Sequence, residues 1–323
     1  MSSGRPSGRI VTLTANPSFD RTVGLPGVLE RGAVHRVDAM TSQAGGKGVN
    51  ISRAAVSAGL GTVAVLPALA DDPFVHELEH AGIECYPATP AGEIRVNLTL
   101  TEPDGTTTKL NGPGAEVTAE HLADLADTLV AHAVDGAWTV LAGSLPPGAP
   151  ADFYATLVPR LRGLSRIAVD TSDAPLAALV DALPGSAPDL LKPNAEELAS
   201  VTGVDAAALE ADPGAAAKAA RTLVERGVGT VLATLGSKGA VLVQADGAWF
   251  APPPPTVVVS TVGAGDSTLF GYLLAEIRGL AAPERLALAV AYGAAAAGLP
   301  GTTIPRPDDL HPERVEVQPL DPS

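Results

Sequence analysis

The sequence predicts an α/β fold with a central, mostly parallel β-sheet between two layers of helices and a small second β-sheet beside it. Short β-branched runs alternate with helix-like stretches along most of the 323 residues. That rhythm requires parallel pairing through crossover helices, which neither an all-helical fold nor a β-sandwich produces. One region breaks it. Residues 94–101 alternate apolar and polar side chains without a fault, the pattern of a strand with one face turned to solvent or a partner.

The expected core strands, in order, are Ile10–Thr14, Thr62–Leu66, Trp138–Ala142, Arg166–Asp170, Asp189–Lys192, Thr230–Leu235 and Ala240–Gln244. Between them, apolar spacings of three or four predict helices, for example Val49, Val56 and Leu60, or Leu122, Leu125 and Leu129. The second sheet collects Arg21–Leu25, Ala33–Asp38, Ile94–Thr101 and Thr106–Leu110, the last two joined by the turn Glu102-Pro-Asp-Gly105. A sheet wet on one face is suited to covering a cleft. Pro252–Pro255 reads as a stiff extended connection leading into strand-like Thr256–Ser260.

Composition narrows the function. Apolar residues make up 46% and charged residues 18%, ample material for a buried core. Lys and Arg number 21 against 36 Asp and Glu, a net charge of −15. That balance argues against nucleic acid or anionic lipid as partner, so an anionic ligand must be met by a few placed cations and main-chain N–H groups. Cys85 is the only cysteine, which excludes an intrachain disulfide and a Cys-rich metal site; His35, His76, His80 and His121 show no metal-ligand spacing. The start, Met1–Arg9, is polar and lacks the apolar core of a secretory signal, and no run of about 18 apolar residues occurs. A cytoplasmic protein without membrane contact is expected.

Three segments carry possible chemistry. Gly263, Ala264 and Gly265 form a turn opening the helix-like stretch that follows, which leaves N–H groups converging at the positive end of a helix dipole. Asp266 beside this anion hole is either an ordinary helix cap or a base that takes a proton from an attacking hydroxyl. Gly45-Gly46-Lys47-Gly48, ahead of Asn50, is a second glycine turn, where the main chain approaches a ligand closely and Lys47 adds a point charge. It equally fits a common strand–helix turn with a solvated lysine, and it is not a Walker A sequence. Lys192-Pro-Asn194 followed by Glu197 has capping-box spacing, and the same residues suit a hydrated Mg²⁺ near phosphates.

Taken in order, Asn16-Pro-Ser-Phe-Asp20, Gly45-Gly-Lys-Gly-Val-Asn50, Gly143-Ser-Leu-Pro-Pro-Gly148, Lys192-Pro-Asn-Ala-Glu-Glu-Leu198 and Thr261-Val-Gly-Ala-Gly-Asp-Ser267 resemble the ribokinase-like (PfkB) carbohydrate kinases. The likeness spans residues 10–312 and is greatest to the sugar-phosphate branch. It implies a single domain over 10–312 after an N-terminal tail, 1–9, with a Rossmann-like three-layer core. The lid would be formed by about 20–40 and 93–112. It implies that Asp20, Gly45, Gly46, Lys47 and Asn50 hold a sugar, with Asn111 and Ser144 lining the same pocket. Arg95 and Lys109 would meet the phosphate already on the acceptor. Asp266 would be the catalytic base, with Gly263, Ala264 and Gly265 as the hole for the transferring phosphoryl group. Lys192, Asn194, Thr234 and Gly236 fall to ATP, and Glu197 to Mg²⁺. Pairing of lids in a homodimer is also implied.

The resemblance therefore gives an expected reaction, ATP- and Mg²⁺-dependent phosphorylation of a ketose phosphate. Fructose 1-phosphate, giving fructose 1,6-bisphosphate, is the first expectation, with tagatose 6-phosphate or fructose 6-phosphate as alternatives. A non-catalytic sugar-phosphate sensor is a reading of another class, but it has no use for Asp266. The chain departs from the family pattern in a shortened loop at 67–73, in Asp173 where Gly is usual, and in Arg21 directly after Asp20.

Overall fold

The computed structural model describes residues 8–37, 39–134 and 136–321. Most of the expected tail (residues 1–7) and Asp38 lie outside them. Fourteen strands are present among the described residues: β1 (Arg9–Thr14), β2 (Ser18–Gly24), β3 (Ala39–Gly45), β4 (Thr62–Pro67), β5 (Glu84–Ala88), β6 (Arg95–Thr101), β7 (Thr107–Asn111), β8 (Gly136–Ala142), β9 (Arg166–Asp170), β10 (Leu190–Leu191), β11 (Thr230–Thr234), β12 (Ala240–Gln244), β13 (Gly247–Ala251) and β14 (Gln318–Leu320). The helices are α1 (Lys47–Ser57), α2 (Pro73–His80), α3 (Ala119–Ala133), α4 (Phe153–Leu161), α5 (Asp173–Asp181), α6 (Ala195–Thr202), α7 (Ala206–Ala211), α8 (Pro213–Glu225), α9 (Ala264–Ile277) and α10 (Ala282–Ala297).

Ten strands form the main sheet in the order β14-β13-β12-β11-β10-β9-β8-β1-β4-β5. From β11 to β5 all pairs are parallel, and β12, β13 and β14 continue antiparallel at one edge. Because successive side chains point to opposite faces, each buried strand feeds two cores. Val11, Leu13, Leu141 and Val169 pack under α3, α4 and their neighbours, while Ile10, Trp138, Val140 and Ala168 pack against α1, α9 and α10. Helix α9 is buried all round from Asp266 to Ala275, as expected of a helix enclosed by protein. It lies so close to α10 that a Cβ at Gly271 would stand 2.8 Å from the Leu288 carbonyl oxygen.

The second sheet has the order β3-β2-β6-β7, with β2 and β6 parallel and the outer pairs antiparallel. Two expected strands are corrected here. Residues 33–37 are irregular, and the strand beside β2 begins at Ala39 instead. Thr256–Ser260 forms no strand, for no neighbouring strand pairs with it and Val257, Val258 and Val259 are 85%, 60% and 58% exposed. Strand β1 starts at Arg9, and β14 completes the sheet edge beside β13. No helix among the described residues is long and apolar enough to cross a membrane.

Candidate active site

A cavity of about 910 Å³ follows the C-terminal ends of the parallel strands, the edge where open α/β sheets present their loops to ligands. Thr14 of β1, Gly143 and Ser144 after β8, Asp170 of β9, Lys192 after β10 and Thr234 of β11 line it. Its second-sheet wall carries Ser18, Asp20, Arg95 and Asn97.

Asp266 sits in the first turn of α9, 7% exposed, and its Oδ2 accepts a hydrogen bond from Asn50 Nδ2 at 2.8 Å. Burial and then the charge of Asp170 push its carboxyl up to about 6, against Lys47, the Asn50 hydrogen bond and Lys192. Gly263 precedes the helix with φ 78°, a left-handed conformation that suits glycine. The N–H of Ala264 is taken by the Thr261 carbonyl at 3.4 Å and that of Ser267 by Gly263 at 2.9 Å. This leaves the N–H groups of Gly265 and Asp266 directed out of the helix end, as helix geometry requires.

Asp170 is fully buried between two lysines. Lys47 Nζ lies 2.7 Å from its Oδ1 and Lys192 Nζ 3.3 Å from its Oδ2. Although burial opposes ionisation, Lys192 and then Lys47 hold this carboxyl below the usual range. Lys47 is likewise penalised by burial, but Asp170 and Asp266 raise its ammonium above the ordinary range.

On the second-sheet side, Asp20 Oδ1 accepts from Ser18 Oγ at 2.8 Å and Asn97 Nδ2 at 3.0 Å. Arg95 donates from Nη1 to the Gly112 carbonyl at 2.9 Å. Burial holds its guanidinium below the ordinary range, with the charge of Asp20 opposing. Asn97 Oδ1, Thr14 Oγ1 and Arg95 Nε are buried without a protein partner in residues that line the cavity. Such atoms are costly unless a ligand or water meets them.

At the opposite end, Asn194 and Glu197 cap α6 reciprocally, each side-chain oxygen accepting the other's N–H at 2.8 Å. The Thr234 N–H reaches the Pro193 carbonyl at 2.9 Å, and Gly236 turns the chain with φ 54°. Pro254, Val258, Val290 and Ala294 give this end apolar walls. No group of three or more metal-ligating side chains exists among the described residues. The donor set fits a Mg²⁺ that keeps waters and phosphate ligands, with Glu197, which lines the cavity and uses Oε2 in the cap, as one carboxylate.

Fifteen of the eighteen residues expected at the site line this cavity, and Gly45, Lys109 and Asn111 do not. Gly45 lies under Asp20 instead: a Cβ there would stand 2.1 Å from Asp20 Oδ2, so glycine makes room for the carboxylate. Lys109 and Asn111 share the face of Thr99 and Asn97 by register, but they project from the edge strand β7, one strand too far out, and are exposed. Residues 67–73, Asp173 and Arg21 stay outside the cavity too. Asp173 does adopt φ 54°, in keeping with a position that favours glycine. Sequence reasoning missed Asp170 and Asn97. A carboxylate closing an apolar parallel strand, and a polar residue two places after Arg95 on the same face, were the signals available.

Residues 14–309 match the profile of a pfkB family carbohydrate kinase, and the chain belongs to that family. It is accordingly a phosphotransferase with an alcohol group as acceptor, a sugar kinase. Among its relatives, the 1-phosphofructokinase of Rhodobacter capsulatus is 36% identical over 94% of each chain. The 1-phosphofructokinase of Escherichia coli strain K12 is 33% identical over 90% of this chain and 91% of its own. Phosphofructokinase-2 from Escherichia coli, solved in complex with substrates and products, superposes with a TM-score of 0.84 at 29% identity, covering 93% of this chain and 96% of that one.

Proposed function

We propose that the protein transfers the terminal phosphoryl group of ATP to fructose 1-phosphate, giving fructose 1,6-bisphosphate and ADP. The observation that carries this reading is a buried carboxylate, Asp266, facing the cavity beside unpaired N–H groups at the start of α9. Phosphoryl transfer asks chiefly for in-line positioning and neutralisation of spread negative charge. Asp266 takes the proton of the attacking sugar hydroxyl as the new P–O bond forms and the bond to the ADP oxygen breaks. Asn50 holds that carboxylate in place through the 2.8 Å hydrogen bond. Asp20, Gly46, Lys47 and Ser144 hold the sugar, and Arg95 meets the phosphate it already carries. The N–H groups of Gly265 and Asp266 receive the moving phosphoryl group. Lys192, Asn194, Thr234 and Gly236 align the nucleotide. Mg²⁺, when bound through Glu197 and the phosphates, supplies further charge neutralisation.

The names of the relatives favour fructose 1-phosphate over tagatose 6-phosphate and fructose 6-phosphate. An ADP-release assay over the three ketose phosphates and free fructose is expected to give the highest kcat/KM with fructose 1-phosphate. Turnover with none of them would overturn the reading. In the same reading a second copy of the chain covers the outer face of the second sheet, where Met40 is 60% and Leu110 55% exposed beside half-buried Leu98 and Leu100. Sedimentation at micromolar concentration is expected to give twice the chain mass, and a monomer would exclude the pairing.

A further inference from the structure

Asp170 has no part in the scheme above, yet it is fully buried in the cavity wall. A buried carboxylate is costly unless it is paired, and this one is paired twice. Its two lysines come from different sides. Lys47 opens α1 next to the acceptor-binding turn, while Lys192 follows β10 on the nucleotide side. Lys192 also borders the anion hole, since a Cβ at Gly265 would stand 3.6 Å from its Nζ. Two ammonium groups gathered at a helix N-terminus would repel each other, and a carboxylate between them removes that conflict while the site is empty.

We infer that Asp170 is a positioning residue, an anionic placeholder that keeps Lys47 and Lys192 converged on the anion hole until the transferring phosphoryl group takes its place between them. The inference rests on the kinase reading and assigns Asp170 a role within it. The placeholder keeps the lysines arranged in advance, which favours the transition state, and it weakens the grip of the empty site on anions, which speeds release of product.

Asp266 reports on this arrangement. The groups that act on it are Asp170 from β9, Lys47 and Asn50 from α1, and Lys192 after β10, while Glu197 of α6 acts on Lys47. Loss of the Asp170 charge removes a repulsion from Asp266 and frees two cations toward it, so both changes favour its ionised form.

The test is Asp170→Asn, which keeps the volume and removes the charge. Calorimetric titration with ADP and, separately, with inorganic phosphate is expected to show binding at least about fivefold tighter than in the parent, the effect of one charge lost beside an anion site. In turnover, kcat is expected to drop at least about tenfold, and the acid limb of the kcat/KM profile to move to lower pH. The double variant Asp170→Asn with Lys192→Met restores the local charge and is expected to bind both probes about as the parent does, and more tightly than Lys192→Met alone. The latter comparison carries the test if the single Asp170 variant does not fold. Weaker anion binding with a raised requirement for divalent cation would assign Asp170 to a metal instead and overturn the inference. Unchanged binding with an unmoved acid limb would do the same, as would failure of both Asp170 variants to fold. Because the titrations need no turnover, they remain decisive even if the parent phosphorylates none of the ketose phosphates, a result that would sink only the kinase reading.

Discussion

Replacing Asp266 by Asn lowers kcat by at least about 10²-fold, the low end of what a general base contributes, while acceptor binding is largely kept. The substitution preserves shape and a hydrogen-bonding oxygen for Asn50, whose Nδ2 donates to Oδ2 at 2.8 Å in the parent. What disappears is the capacity to take a proton. Steady-state kinetics with saturating ATP and a titrated ketose phosphate separate the two quantities, and unchanged kcat would refute the assigned role. The pH dependence supplies an independent check. A base works only when deprotonated, and this carboxyl is pushed up to about 6, first by burial and then by Asp170. In the parent, kcat/KM therefore falls about tenfold per pH unit below that value and levels off above it. In the Asn variant this acid limb vanishes. A parent profile flat down to pH 4.5 would contradict the assignment.

Arg95→Ala is expected to raise KM for the phosphorylated acceptor by about 10- to 100-fold, the worth of a charge-assisted hydrogen bond in a partly dry site. Its effect on kcat should be much smaller. The guanidinium is oriented in advance by the Gly112 carbonyl at 2.9 Å, and its buried Nε has no protein partner. In a chain of net charge −15, such a cation is scarce attraction for a sugar phosphate. A kinase for nucleosides or unphosphorylated sugars would lose little affinity from the change. KM measured for fructose 1-phosphate and for ATP distinguishes the cases, since the ATP value is expected to stay nearly constant.

Strands β1, β4, β8, β9 and β11 were legible because each is a local run with β-branched residues and helical spacing on either side, whereas β5 (Glu84–Ala88), which has none, was not. The second sheet was legible only in part. Ala33–Val37 resembles a strand but finds no partner, whereas Ala39–Gly45, with weaker local preference, is recruited because it lies opposite β2. Glycine turns and the Asp266 position could be read directly, since backbone N–H groups at a helix start are a local property. The Lys47–Asp170–Lys192 arrangement could not. Lys47 and Asp170 are 123 positions apart and meet only once strands β1, β8 and β9 stand side by side. Lys109 stands outside the cavity because of its distance across the sheet, which alternation along a single strand does not encode.

Strand β3 runs directly through Gly46 into α1, so one continuous stretch of chain joins the wall that carries Asp20 to the side chain that steadies Asp266. Asn50 stands about one helical turn beyond the end of that strand. The wall facing the acceptor side and the anchor of the Asp266 carboxylate therefore share one uninterrupted stretch of backbone.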